Sequence, residues 1–194
     1  MLRPLLCVGF CNCVIEKMNP TISGCIASLN QSIALLEKLD DKTYAETNGL
    51  PVRSSVGAHL RHCIEFYECF LCGVKLGGVN YNKRARETLT ETNRDFAITK
   101  LRIIISELEL LSIEADALLF VCVEDGDAEN EADWCRSTVL RELQFLLSHT
   151  THHYALMSLM LKLQGQTVDE EFGVTPSTLK HWAGSADGSS ALSV

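Results

Sequence analysis

The apolar residues of this chain recur with the period of an α-helix, and that period limits the folds open to it. Ile22, Ile26, Leu29, Ile33, Leu36 and Leu39 fall on one stripe and predict a first helix over roughly 20–39. Ser54 or Ser55 can cap a second helix that runs to about Gly73. Phe96, Leu101, Ile104, Ile105, Leu108 and Leu111 mark a third over roughly 93–113. A fourth covers roughly 135–164 and stops at Gly165. DDKTYAETNGLP carries Asn-Gly and Pro and reads as a loop. GGVNYNKRARETLTETN is a long polar connection, helical in part. ALLFVCVE is short, apolar and partly β-branched, so a strand or extended segment is expected near 117–123, which periodicity alone does not decide. Four amphipathic helices with two longer connections describe an all-α four-helix bundle with long crossovers.

The 194 residues suit one domain with a real core. A formal charge of -8 argues against nucleic acid and anionic membrane surfaces as partners. Much of the acidity lies in Glu124, Asp125, Asp127, Glu129, Glu131 and Asp133, which reads as a solvated loop. The nine cysteines lack the regular spacing of a disulfide scaffold and several sit on apolar helical faces, so a reducing cytoplasm is expected. Residues 1–17 imitate a signal-peptide core without a cleavage site and read as a poorly ordered extension. The apolar run there is too short for a membrane span, which needs about 20 residues. The domain is then expected over 18–182, with a disordered tail over 183–194.

Five of the histidines fall into two tight groups: His59 and His62 in the second helix, and His149, His152 and His153 in the fourth. Residues three or four apart share a helical face, so each group can point two imidazoles into one space. Two such faces opposed give three or more nitrogens around a point, the inventory of a transition-metal site with open positions. His149 and His153 stand at i and i+4, with His152 turned off that face. Imidazole suits Zn, Ni, Fe and Cu alike. HTTHH shares only its spacing with the HExxH of zinc peptidases, because Thr150 stands where that motif carries its general base.

VGAHLRHCIEFY in the second helix and SHTTHHYAL in the fourth resemble the DinB-like superfamily of bacterial metal-binding four-helix bundles. YNKRARETLTE and FGVTPSTL also look like a bacterial branch of it, and the resemblance spans roughly residues 20–180. It implies a divalent transition metal (Zn, Ni or Fe) held by His62, His149 and His153. His59 is a departure: it could replace His62 as ligand or support the site from behind. The superfamily includes thiol S-transferases such as bacillithiol transferases, a mycothiol-dependent maleylpyruvate isomerase and a domain of ergothioneine sulfoxide synthases. The implied activity is metal-dependent activation of a low-molecular-weight thiol for transfer to an electrophile, with a homodimer as the expected assembly. The rival is a non-enzymatic metal-binding or stress-response protein that assembles through its helices.

Other residues allow both functional and structural readings. Cys69 and Cys72 form a C-x-x-C on a helix, where packing is favoured over redox chemistry. Arg84 and Arg86, beside Tyr81, could clamp a substrate carboxylate or pin a loop. Glu65 lies one turn from His62 and could orient it, act as a base, or sit on a solvated face. Arg141 and Glu142 read as an ion pair, and His181 as a chain-end residue without a role.

Overall fold

Four side chains decide where the long helices begin. Asn19 Oδ1 accepts the N–H of Thr21 at 2.8 Å and opens α1 (Pro20–Leu36). Ser55 Oγ accepts the N–H of Ala58 at 3.0 Å and opens a 21-residue helix, Val56–Leu76. Asn93 Oδ1 accepts the N–H of Phe96 at 2.8 Å ahead of Arg94–Glu109, and Thr138 Oγ1 accepts the N–H of Arg141 at 3.3 Å ahead of Val139–Leu163. Each satisfies a donor that the first turn leaves without a partner. In the computed structural model, which describes residues 18–47, 49–50, 53–112 and 117–188, shorter pieces join these helices. In chain order the helices are α1, α2 (Asp41–Ala45), α3 (Val56–Leu76), α4 (Thr88–Thr92), α5 (Arg94–Glu109), α6 (Val139–Leu163) and α7 (Pro176–Gly188).

The protein is mostly helical. α1 and α3 each pack against both α5 and α6. Between them lie Leu29, Leu36, Leu60, Ile64, Leu101, Leu108, Leu143 and Leu146, all fully buried. Truncating any one of these to Ala is worth about 2–5 kcal/mol. The expected extended segment is strand β2 (Leu118–Cys122), the centre of a three-stranded sheet. It runs parallel to β1 (Gly78–Val79) and antiparallel to β3 (Trp134–Thr138), with Val79 opposite Val121 and Phe120 opposite Arg136.

The sheet brings the main departure from the all-α expectation. Residues 135–138, expected to begin the last helix, are strand, because their backbone pairs with β2 until Thr138 turns the chain into α6. The expected loop after α1 contains α2: Asp40 Oδ1 accepts the N–H of Thr43 at 2.7 Å, and fully buried Tyr44 donates its hydroxyl to Thr90 O at 2.7 Å. The third helix ends at Glu109, short of 113. α7 continues to Gly188, into the segment expected to lack order. Residues 1–17 and 189–194 lie outside the described residues. Among the described residues no helix is long and apolar enough to cross a membrane.

Two glycines fix the surroundings of α3. Gly57 lets α4 approach so closely that a Cβ there would stand 2.0 Å from the Glu91 carbonyl oxygen. Gly77 ends α3 with φ 78° in the left-handed region that glycine enters without penalty, and the chain turns directly into β1. The segment after β1 therefore returns along α3 and lays Tyr81 and Arg84 beside it.

Candidate metal centre

Contact between α3 and α6 sets two histidine pairs face to face. His62 Nε2 meets His149 Nε2 at 2.9 Å, and His59 Nδ1 meets His153 Nδ1 at 3.0 Å. One nitrogen from each of His62, His149 and His153 lies within 4.8 Å of the others. His59 reaches this group through His153, and its Nε2 is buried without a hydrogen-bond partner among the described residues. His152 is exposed, as its helical position predicts.

The donor set fits a divalent transition ion. Burial, followed by the charges of neighbouring His153, Arg84 and His149, pushes His62 down to about 3. Burial and neighbouring histidines likewise push His153 down to about 3. Burial also lowers His59 and His149. The rings are therefore neutral at ordinary pH, and a neutral imidazole keeps the lone pair that a metal needs. Two nitrogens bound at about 2.0–2.1 Å to one ion stand roughly 2.9–3.4 Å apart for right-angle to tetrahedral geometry. The 2.9 Å between His62 and His149 falls at the near end of that range.

Beside the histidines opens a cleft of about 460 Å³. The Phe66 ring stacks on Tyr81 at 4.8 Å and on His149 at 4.6 Å, while Phe145 lies 5.4 Å from His149. The Arg84 guanidinium contacts His62 Nδ1 and lies 5.0 Å over the Phe66 ring. On the far side, buried Glu142 accepts hydrogen bonds from Ser137 Oγ at 2.6 Å, Tyr81 Oη at 3.0 Å and Arg141 Nη1 at 3.0 Å. Burial and the Glu142 carboxylate hold the Tyr81 phenol well above its ordinary range, so it stays a donor.

The structure brings together His62, His149 and His153, sets His59 against them, and places Tyr81 and Arg84 in the adjoining cleft. Arg86 is exposed, with φ 53°, and does not line that cleft. Glu65 neither orients His62 nor faces water. It is 2% exposed, its Oε1 accepts the N–H of Glu87 at 2.9 Å, and Arg61 stands 3.9 Å from its other oxygen. A buried carboxylate so engaged anchors the loop before α4. Cys69 and Cys72 line a separate cleft with Trp134, and burial pushes the Cys69 thiol up to about 11, far from a reactive thiolate. His181 is exposed on α7. Sequence reasoning missed Phe66, Phe145 and the wider role of Glu142. Their signal was present: Glu142, Phe145 and His149 stand at i, i+3 and i+7, and Phe66 follows His62 by four.

No protein-family model matches the chain. The chain is similar to FK506-binding protein 5 of Rhizopus delemar, with 31% identity over 106 residues, which are 53% of this chain and 27% of that protein. It thus spans about a quarter of the length of that relative.

Proposed function

We propose that this chain is a DinB-like four-helix bundle that holds one divalent transition ion, Zn, Ni or Fe, through His62, His149 and His153, and activates a low-molecular-weight thiol for transfer to an electrophile. The observation that carries this reading is the convergence of three neutral imidazoles within 4.8 Å, from two facing helices, at the edge of an open cleft. The pairing of α1 and α3 with both α5 and α6 supports the bundle. An ion bound there would stabilise a sulfur ligand as its thiolate.

The chain's own residues supply the rest. Burial keeps the imidazoles unprotonated. Phe66 and Phe145 give the approach an apolar wall that limits water. Glu142 fixes the Tyr81 hydroxyl, which holds the ring against Phe66. His59 braces His153 through its Nδ1.

Elemental analysis of gently purified protein, followed by conjugation assays with thiols and electrophiles, tests the proposal. The expected outcome is about one ion per chain, with turnover that chelation abolishes and a divalent ion restores. Metal-dependent stability without any metal-dependent rate would favour the binding-protein rival instead.

A further inference from the structure

Among the described residues, Arg84 is a cation without an anion. Its guanidinium lies against His62 Nδ1 and over the Phe66 ring, neither of which carries negative charge. Its Nε is buried with no hydrogen-bond partner, and among the described residues no carboxylate pairs with it. Of the two acids that line the cleft, buried Glu142 is taken by Tyr81, Ser137 and Arg141, and exposed Glu124 forms no ion pair with Arg84. A partly buried guanidinium with an orphaned donor is costly unless something completes it. A divalent ion at the neighbouring histidines would add further positive charge. The missing partner is therefore an anion entering from solvent. The planar fork of a guanidinium matches a carboxylate. Phe145 and partly buried Val121 give the cleft an apolar flank, and its volume of about 460 Å³ suits a small molecule.

We propose that this cleft binds a small carboxylate with an apolar body, whose carboxylate pairs with Arg84 while the body lies along Phe145 and Val121, beside the histidines. This deepens the function proposed above by naming the class of substrate that the same site takes.

The test uses the full chain after chelation, with phenylacetate and its neutral amide, phenylacetamide, as probes in calorimetric or ligand-observed NMR titrations. Phenylacetate should bind at least about tenfold more tightly, the scale of a charge-assisted hydrogen bond. Arg84→Gln should remove that preference, Arg84→Lys should keep part of it, and Arg86→Gln should leave it intact. Circular dichroism confirms that each variant is folded. Equal binding of the two probes, binding of neither, or a preference that survives Arg84→Gln overturns the proposal. Because the titration is done without metal, its failure is separable from failure of the metal reading. A preference for carboxylate in a protein that takes up no ion would sink the metal site alone.

Discussion

Replacing His153 by Ala tests the metal centre at its most connected residue. The ring sits 4.7 Å from His62 and 4.6 Å from His149 by centroid, and it carries the contact to His59. If the three imidazoles are the protein's ligands, the variant keeps two and leaves His59 without its partner. Structural zinc sites with four ligands bind with about 10–16 kcal/mol, roughly 2.5–4 kcal/mol for each ligand. Loss of one therefore weakens binding by about a hundredfold to a thousandfold, enough to end stoichiometric occupancy at micromolar protein. The fold should persist, because α6 remains anchored by Leu143, Leu146, Met157 and Leu161, all fully buried. The assay is competition against a chromophoric chelator, alongside helicity from circular dichroism. His59→Ala, which removes a brace, should cost about tenfold to a hundredfold. Undiminished occupancy in the His153 variant would refute the ligand set. A mild His62→Ala with a severe His59→Ala would show that His59, not His62, is the α3 ligand.

Two further outcomes concern stability. In the metal-stripped protein His62 and His153 titrate near 3 when folded, against about 6.5 for an unfolded histidine. The unfolded chain thus binds the extra protons between those values. Stability contributed by the neutral rings is fully present above about 6.5 and is lost as pH falls toward 3. Urea midpoints measured with chelator at neutral and mildly acid pH should drop, and His62→Gln should flatten the drop; a pH-independent midpoint contradicts the buried neutral rings. Gly57→Ala forces a Cβ to within 2.0 Å of the Glu91 carbonyl oxygen, and should destabilise the protein by about 1–3 kcal/mol despite the better helix propensity of Ala. A neutral or stabilising result in thermal unfolding would mean that α4 does not lie where the structure puts it.

The long helices and the histidine cluster were legible in the sequence because their signals are local. Ser55 marks the start of α3, the apolar stripes mark the long helices, and an i, i+4 pair of histidines shares a face whatever the rest of the chain does. The same local logic would have found α2, whose Asp40 cap and Tyr44 anchor were overshadowed by the Asn-Gly that follows. The sheet was harder to foresee. β1 is two residues long and β3 runs straight into a helix, so both exist only through pairing with β2 across long stretches of chain. The Arg141–Glu142 ion pair was legible, but the other partners of Glu142 and those of Glu65 escaped for a related reason. Two of these, the Glu87 backbone for Glu65 and Tyr81 for Glu142, come from the segment that Gly77 turns back along α3.

Arg84 ties the two halves of the proposed site together. A guanidinium has no acceptor, so while it rests on His62 Nδ1 that nitrogen is bare, and the neutral ring carries its proton on Nε2, toward His149. Ligation through Nε2 needs the proton on Nδ1 instead, where it would oppose the Arg84 donor. The tautomer that takes an ion is thus the one that Arg84 disfavours, and whatever draws Arg84 aside favours loading. A carboxylate in the cleft is such a group. By linkage the effect is reciprocal: a loaded ion that displaces Arg84 from His62 frees its donors for the carboxylate, by the same factor that the carboxylate strengthens ion binding. An arginine that holds His62 in one tautomer in the metal-free protein would therefore have a part in both proposed events, which a loop residue merely pinned to the helices would not have.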